Sequence, residues 1–188
     1  DVERSRGLGD VYKRQVFMPA IALKNVSLNI GAQLLLDKVA LHVEPGERLC
    51  ILGRNGEGKS TLLRVIAGAQ AVESGEVQID SSLTVAELPQ EIPRNASGTV
   101  FEMVADGLGE LGAVLAEYHA LLDAGGEDLE RLGELQHRID AGDGWNLDNR
   151  VSTVVTRLEL TGSANFADLS GGLKRRVLLA RALVTDPD

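Results

Sequence analysis

One stretch of this sequence constrains its fold more than any other: Gly53-Arg54-Asn55-Gly56-Glu57-Gly58-Lys59-Ser60. It fits the pattern G-x-x-x-x-G-K-[ST]. Its flanks are the ones that pattern needs, the apolar run Leu49-Cys50-Ile51-Leu52 before it and a helical pattern from Lys59 to about Ala67 after it. Strand, glycine-rich loop and helix in that order build a phosphate cradle. Glycines let backbone N–H groups turn inward around an anion, and the following helix presents the positive end of its dipole to the same point. Lys59 adds a point charge for the β- and γ-phosphates, and Ser60 a hydroxyl that can ligate Mg²⁺. The loop predicts nucleotide binding, with Gly53, Asn55, Gly56, Glu57, Gly58, Lys59, Ser60 and Thr61 as the binding set.

The bulk composition excludes several other classes. With 188 residues, 44% of them hydrophobic and 25% charged, the chain has the make-up of one ordinary globular domain. No apolar run approaches the ~20 residues of a membrane helix, so no membrane insertion is expected. The formal charge of −9 repels phosphate backbones at long range and argues against a direct nucleic-acid site. Cys50, the one cysteine, cannot form an internal disulfide and reads as a buried strand residue in a reduced, cytoplasmic compartment. His42, His119 and His137 read as surface or packing residues.

Along the chain, residues 1–17 mix both signs of charge without an apolar centre and read as a non-native or disordered segment. The patterned sequence opens at Met18-Pro19. Ile21–Ile30 and Val39–Val43 read as antiparallel strands joined through Gly31, Glu47–Leu52 as a short buried strand, and Ser74-Gly75 as a turn into a strand at Glu76–Ile79. Leu83–Leu88 reads as a further short strand ending at Pro89-Gln90. After Ser97 the composition turns helical to about Leu160, with breaks at Gly125-Gly126 and Ala141–Gly144. Leu169-Ser170-Gly171-Gly172 then opens a helix from Leu173 to Val184. That Ser-Gly-Gly is an ordinary helix cap or a second phosphate site, and by itself it does not say which.

The order of these pieces resembles the ATP-binding cassette family: GRNGEGKST, a glutamine in LPQE, a helical insertion, then LSGGLKRRVLLARAL. Within that family the stretches Leu88-Pro89-Gln90-Glu91, Gly98-Thr99-Val100-Phe101 and Trp145-Asn146-Leu147-Asp148-Asn149-Arg150 are most similar to the ABC-F subfamily, Uup type. The resemblance implies an α/β fold, a P-loop NTPase core of ABC-ATPase type with an antiparallel β subdomain and an inserted helical subdomain. The core would cover 18–96, the insertion 97–165, and the signature loop and helix 166–188. It also implies ATP and Mg²⁺ as cofactors. Gln90 would sense Mg²⁺ and the γ-phosphate beside Ser60, and Ser170, Gly171 and Gly172 would close over ATP held by a second cassette.

Two departures stand beside that resemblance. The family's adenine-stacking aromatic corresponds here to Ile30, which should weaken base selectivity while leaving phosphate binding in place. Leu173 stands where transporters carry glutamine, an apolar choice shared with Uup-type proteins. The metal-ordering aspartate, general-base glutamate and switch histidine would lie beyond Asp188, so the chain is expected to be a C-terminally truncated cassette that binds ATP poorly and does not hydrolyse it. The implied function is a cytoplasmic ABC-F ATPase that pairs two cassettes and acts on the ribosome. The alternatives are the ATPase subunit of a membrane transporter and a module that binds ATP without turnover.

Overall fold

A computed structural model of the chain describes residues 19–31, 33–93 and 96–188. The expectation for residues 1–17 lies outside the described residues. The chain divides into two compact units, one ending at Ser82 and the other running from Leu83 to Asp188.

The first unit is built on β1 (Ile21–Ile30), β2 (Gln33–Val43) and β3 (Ser74–Ile79), with the helix α1 (Lys59–Ile66) between β2 and β3 in sequence. Its sheet is antiparallel with the order β2-β1-β3, so the N-terminal strand is central. Alternation decides which side chains go inward: Leu23, Val26, Leu28 and Leu36 are buried and join Val65 of α1 in one apolar cluster. The β1–β2 pairing slips in register between Leu23 and Val26, next to Asn25 at φ 51. That bulge explains why the alternation in this strand reads loosely. Ser74 and Gly75, expected in a turn, belong to β3: Gly75 lies against the Asn25 backbone, where a Cβ would overlap the Asn25 carbonyl.

Two expected strands are absent. Glu47–Leu52 forms no ladder, and its neighbourhood is held by a turn in which the Glu47 amide donates to the Glu44 carbonyl at 3.0 Å. Leu52 is 87% exposed and Cys50 is exposed, which corrects the reading of both as buried strand residues. The reason is physical: a strand exists through its pairing partner, and an apolar run without one cannot satisfy its backbone groups as a strand. Leu83–Leu88 likewise joins no sheet. Its fixed point is Thr84, whose amide donates to Asp188 Oδ2 at 2.8 Å and whose carbonyl accepts from the Asp188 amide at 3.2 Å.

The second unit is helical, as the composition after Ser97 predicts. It contains α2 (Val100–Ala105), α3 (Glu110–Asp123), α4 (Leu129–Ala141), α5 (Gly144–Arg157) and α6 (Gly171–Leu183), with single 3₁₀ turns at Asp106–Leu108 and Phe166–Asp168. Thr99 and Glu102 form a capping box: the Glu102 amide donates to Thr99 Oγ1 at 3.2 Å and the Thr99 amide to Glu102 Oε2 at 2.9 Å. One core gathers Val100, Val104, Val151, Val155, Phe166, Val177 and Val184; a second gathers Val114, Leu115, Leu135 and Ile139. Arg131 on α4 clamps Glu117 on α3 with two hydrogen bonds, of 2.7 and 2.9 Å. Those bonds hold the Glu117 carboxyl below its ordinary pKa. His119 bridges α3 to α5 through Asp148 at 2.6 Å and stacks obliquely on Phe101. Trp145 donates to Asp140 Oδ1 at 2.6 Å and meets Tyr118 edge to face.

Candidate phosphate loop and signature helix

In the first unit, α1 starts at Lys59 directly after the glycine-rich loop. Gly58 is its N-cap at φ 86 and ψ 6, a left-handed conformation that strains any L side chain. A Cβ on Gly58 would also come within 3.1 Å of the Leu35 carbonyl oxygen on β2, so glycine is needed for both conformation and space. No side chain caps α1, its first turn carries no acidic residue, and its first ladder bond runs from the Leu62 amide to the Gly58 carbonyl at 2.8 Å. The amides of Lys59, Ser60 and Thr61 therefore precede the helical ladder and have no intrahelical acceptor. They are donors at the positive end of a helix dipole, with a lysine beside them. This donor set suits a nucleoside polyphosphate. The Ser60 hydroxyl, exposed on the same first turn, is of the right chemistry for a hard cation.

Two of the loop's three long charged side chains, those of Glu57 and Lys59, fold back on it. Lys59 Nζ donates to the carbonyls of Gly53 at 2.8 Å and Arg54 at 2.5 Å. Glu57 Oε2 accepts the Arg54 amide at 2.7 Å. Glu57 stands in the expected binding set as a residue of the loop, and this side-chain contact is not among the expectations. The available signal was the spacing, since a glutamate three residues after a turn amide can reach back to it, as Glu102 does to Thr99. Ile30 ends β1, pairs with Gln33 and is 55% exposed. An exposed aliphatic residue can cover a base by contact but offers no ring to stack on it. Ile30→Tyr is expected to raise the preference for ATP over GTP in competition binding, by roughly three- to tenfold if stacking contributes at the low end of its usual 1–3 kcal/mol. An unchanged ATP/GTP ratio would place the base elsewhere.

The remaining expected site residues belong to the second unit. Gln90 is exposed and lines, with Leu88, Pro89, Arg175 and Leu178, a cavity of about 220 Å³. Ser170 is the N-cap of α6 and its Oγ accepts the Leu173 amide at 3.3 Å. The turn before it is fixed from several sides. The Phe166 amide donates to the Gly98 carbonyl at 2.9 Å, Asn165 Oδ1 accepts the Ala167 amide at 3.0 Å, and Lys174 Nζ donates to the Ala167 carbonyl at 2.7 Å while lying over the Phe166 ring. Two of the three consecutive basic residues are thereby engaged within the chain, because Arg176 also donates to the Leu158 carbonyl at 3.3 Å.

The family model described as ABC transporter matches residues 36–188, from β2 through the signature helix. The chain belongs to the ABC family. Two curated relatives of this cassette are the ATP-binding protein Uup of Haemophilus influenzae, 42% identical over 91% of the chain, and that of Escherichia coli, 36% identical over 90%. A third is the energy-dependent translational throttle protein EttA of Mycobacterium tuberculosis, 32% identical over 88%. These are ABC-F proteins, so the subfamily resemblance holds. The cassette spans 27%, 28% and 31% of their respective lengths. Among solved structures it resembles an ATP-binding subunit of an ABC transporter, with a TM-score of 0.62 and 21% identity, covering 89% of this chain and 63% of that one. It also resembles an ATP-binding cassette of an ABC transporter, with a TM-score of 0.59 and 23% identity, covering 90% and 66%. The α/β fold of ABC-ATPase type is therefore shown, with its antiparallel sheet and its helical part. Among the described residues no helix is long and apolar enough to cross a membrane.

Proposed function

We propose that this cassette binds Mg-ATP at Gly53–Thr61 and serves as one half of a paired-cassette, cytoplasmic ABC-F ATPase that acts on the translation machinery. The observation that carries the pairing is at Gly171 and Gly172. Neither glycine has a positive φ, and a Cβ on either would meet nothing within 4 Å. Among the described residues nothing requires glycine there, although glycine is a poorer helix former than alanine. A face bare of side chains at a helix N-terminus is what a phosphate group brought up by another surface needs, since it leaves the amides of Gly171 and Gly172 approachable at close range.

Lys59, the amides of the first turn of α1 and the glycine backbone hold and orient the phosphates in this reading, and Ser170 donates to the γ-phosphate of ATP bound on a second cassette. Ser60 is the proposed holder of Mg²⁺, which when bound would neutralise charge on the β- and γ-phosphates. The ABC-F relatives support a regulatory ATPase over a transporter subunit, because the transporter likeness is one of fold at 21–23% identity and the ABC-F likeness is one of sequence at 32–42%. The name of EttA supports translation as the target. Exposed Cys50 is compatible with a reducing compartment.

In the full-length protein, Ser170→Arg is expected to abolish ATP turnover while ATP still binds to the loop of the same cassette. Retained turnover, or loss of binding at that loop, would overturn the paired arrangement. The 188-residue chain alone is expected to release no phosphate above background, because its signature serves an opposite cassette. Ribosome co-sedimentation of the full-length protein that depends on ATP is the expected result for the ABC-F reading, and its failure would favour a transporter subunit.

A further inference from the structure

Glu57 is the one acidic side chain of the loop, and it makes none of the contacts an acid beside a helix start ordinarily makes. It does not cap α1, whose N-cap is Gly58 without any side-chain bond. Its side chain crosses the loop instead. Glu57 Oε2 accepts the Arg54 amide at 2.7 Å and lies 2.7 Å from the position a Cβ on Gly53 would take, pressed against the glycine that opens the motif. Lys59 grips the same peptide stretch from its other polar groups, the carbonyls of Gly53 and Arg54. The amide of Gly53-Arg54 is thus held by a carboxylate and the adjoining carbonyls by an ammonium. Charge-assisted bonds of this kind are about twice as strong as neutral ones.

We propose that the Glu57 carboxylate is an internal competitor for phosphate, an autoinhibitory negative charge that the Arg54 amide holds on the anion loop and that is expelled when a polyphosphate enters. The proposal rests on reading Gly53–Ser60 as a nucleotide site and adds a regulatory contact to it. Entry of a polyphosphate brings a second anion to the loop, and the two like charges repel until Glu57 releases the Arg54 amide and swings outward to water. Gly53 has no side chain to obstruct that swing. The repulsion grows with the charge of the incoming group, so Glu57 penalises metal-free polyphosphate more than its Mg²⁺ complex and makes binding depend on Mg²⁺ through a residue that does not ligate it. Added salt screens the effect.

The test is calorimetric titration of the full-length protein with inorganic tripolyphosphate and with ATP, each with and without Mg²⁺, for the wild type, Glu57→Gln, Glu57→Ala and Lys59→Ala. Glu57→Gln and Glu57→Ala are expected to bind about tenfold tighter than wild type, a change of ~1.4 kcal/mol, with a larger gain without Mg²⁺ and a smaller one at high salt. The gain should be as large for tripolyphosphate as for ATP, because it concerns phosphate alone. In the absence of any added anion, the Arg54 amide proton should move upfield in Glu57→Ala, which reads the hydrogen bond directly. Equal or weaker polyphosphate binding by both variants, with wild type binding normally, would overturn the inference and leave the nucleotide site standing. Binding by no form of the full-length protein would overturn the nucleotide reading itself, and the inference with it. If Glu57→Ala loses its fold, the isosteric Glu57→Gln and its Mg²⁺ and salt dependence decide the matter.

Discussion

Lys59→Ala is expected to lower Mg-ATP affinity on the order of a hundredfold, measured by calorimetry on the folded protein. The magnitude follows from chemistry: a charged hydrogen bond to a phosphate is worth ~1.5–3 kcal/mol, and an ammonium with three donors can serve more than one phosphate oxygen. Removing Lys59 also frees the carbonyls of Gly53 and Arg54, which it now satisfies at 2.8 and 2.5 Å. The loop then loses a positive charge and gains two bare acceptors, both unfavourable to an anion. Structural damage should be small, since Lys59 lies on the first turn of α1 away from the buried Val65. Lys59→Arg should recover part of the affinity, because it restores charge with a different shape. Affinity within twofold of wild type for Lys59→Ala would remove the loop as the nucleotide site.

Phe166→Ala is expected to destabilise the second unit by about 3–5 kcal/mol, the usual cost of deleting a buried aromatic ring. Phe166 is 1% exposed and packs in the cluster formed by α2, α5 and α6, and its amide ties the pre-signature turn to the Gly98 carbonyl at 2.9 Å. Its ring also carries the Lys174 ammonium at 5.7 Å. Loss of the ring leaves a cavity beneath the turn that delivers Ser170, so stability and the position of the signature should fail together. Urea unfolding followed by helical circular dichroism reads the change, and the transition of the second unit should move to lower urea. A shift worth under ~1 kcal/mol would mean that the turn is held by its hydrogen bonds and not by the ring.

Much of the candidate site was legible because its signals are local. The need for glycine at position 58 comes from one backbone angle, φ 86, and the helix start at Lys59 follows from the next few residues. The start of α6 at Ser170 and the interruptions at Gly125-Gly126 and Gly142 are of the same kind, each set by a cap or a turn within a few positions. Strand assignments at Glu47–Leu52 and Leu83–Leu88 failed because apolar composition reports only a tendency to be buried. Whether a segment becomes a strand depends on a neighbour with free hydrogen-bonding groups, which the segment's own letters do not encode.

The sequence by itself determined that this protein carries a glycine-rich loop of phosphate-cradle pattern between β2 and β3, antiparallel strands before it, a helical part later in the chain, and a serine-glycine-glycine start to its last helix. Each of these follows from residue chemistry within a short window. The tertiary structure decided the rest: that β1 lies central between β2 and β3, that Leu52 and Cys50 stand exposed, that Leu35 crowds Gly58, and that Gly171 and Gly172 face open space. It also decided that the Glu57 carboxylate sits on the Arg54 amide, a matter of side-chain direction that the motif leaves open. The physical reason is common to all of these: local propensity fixes dihedrals and caps over a few residues, while exposure, pairing and side-chain direction are fixed by which distant atoms the folded chain brings alongside.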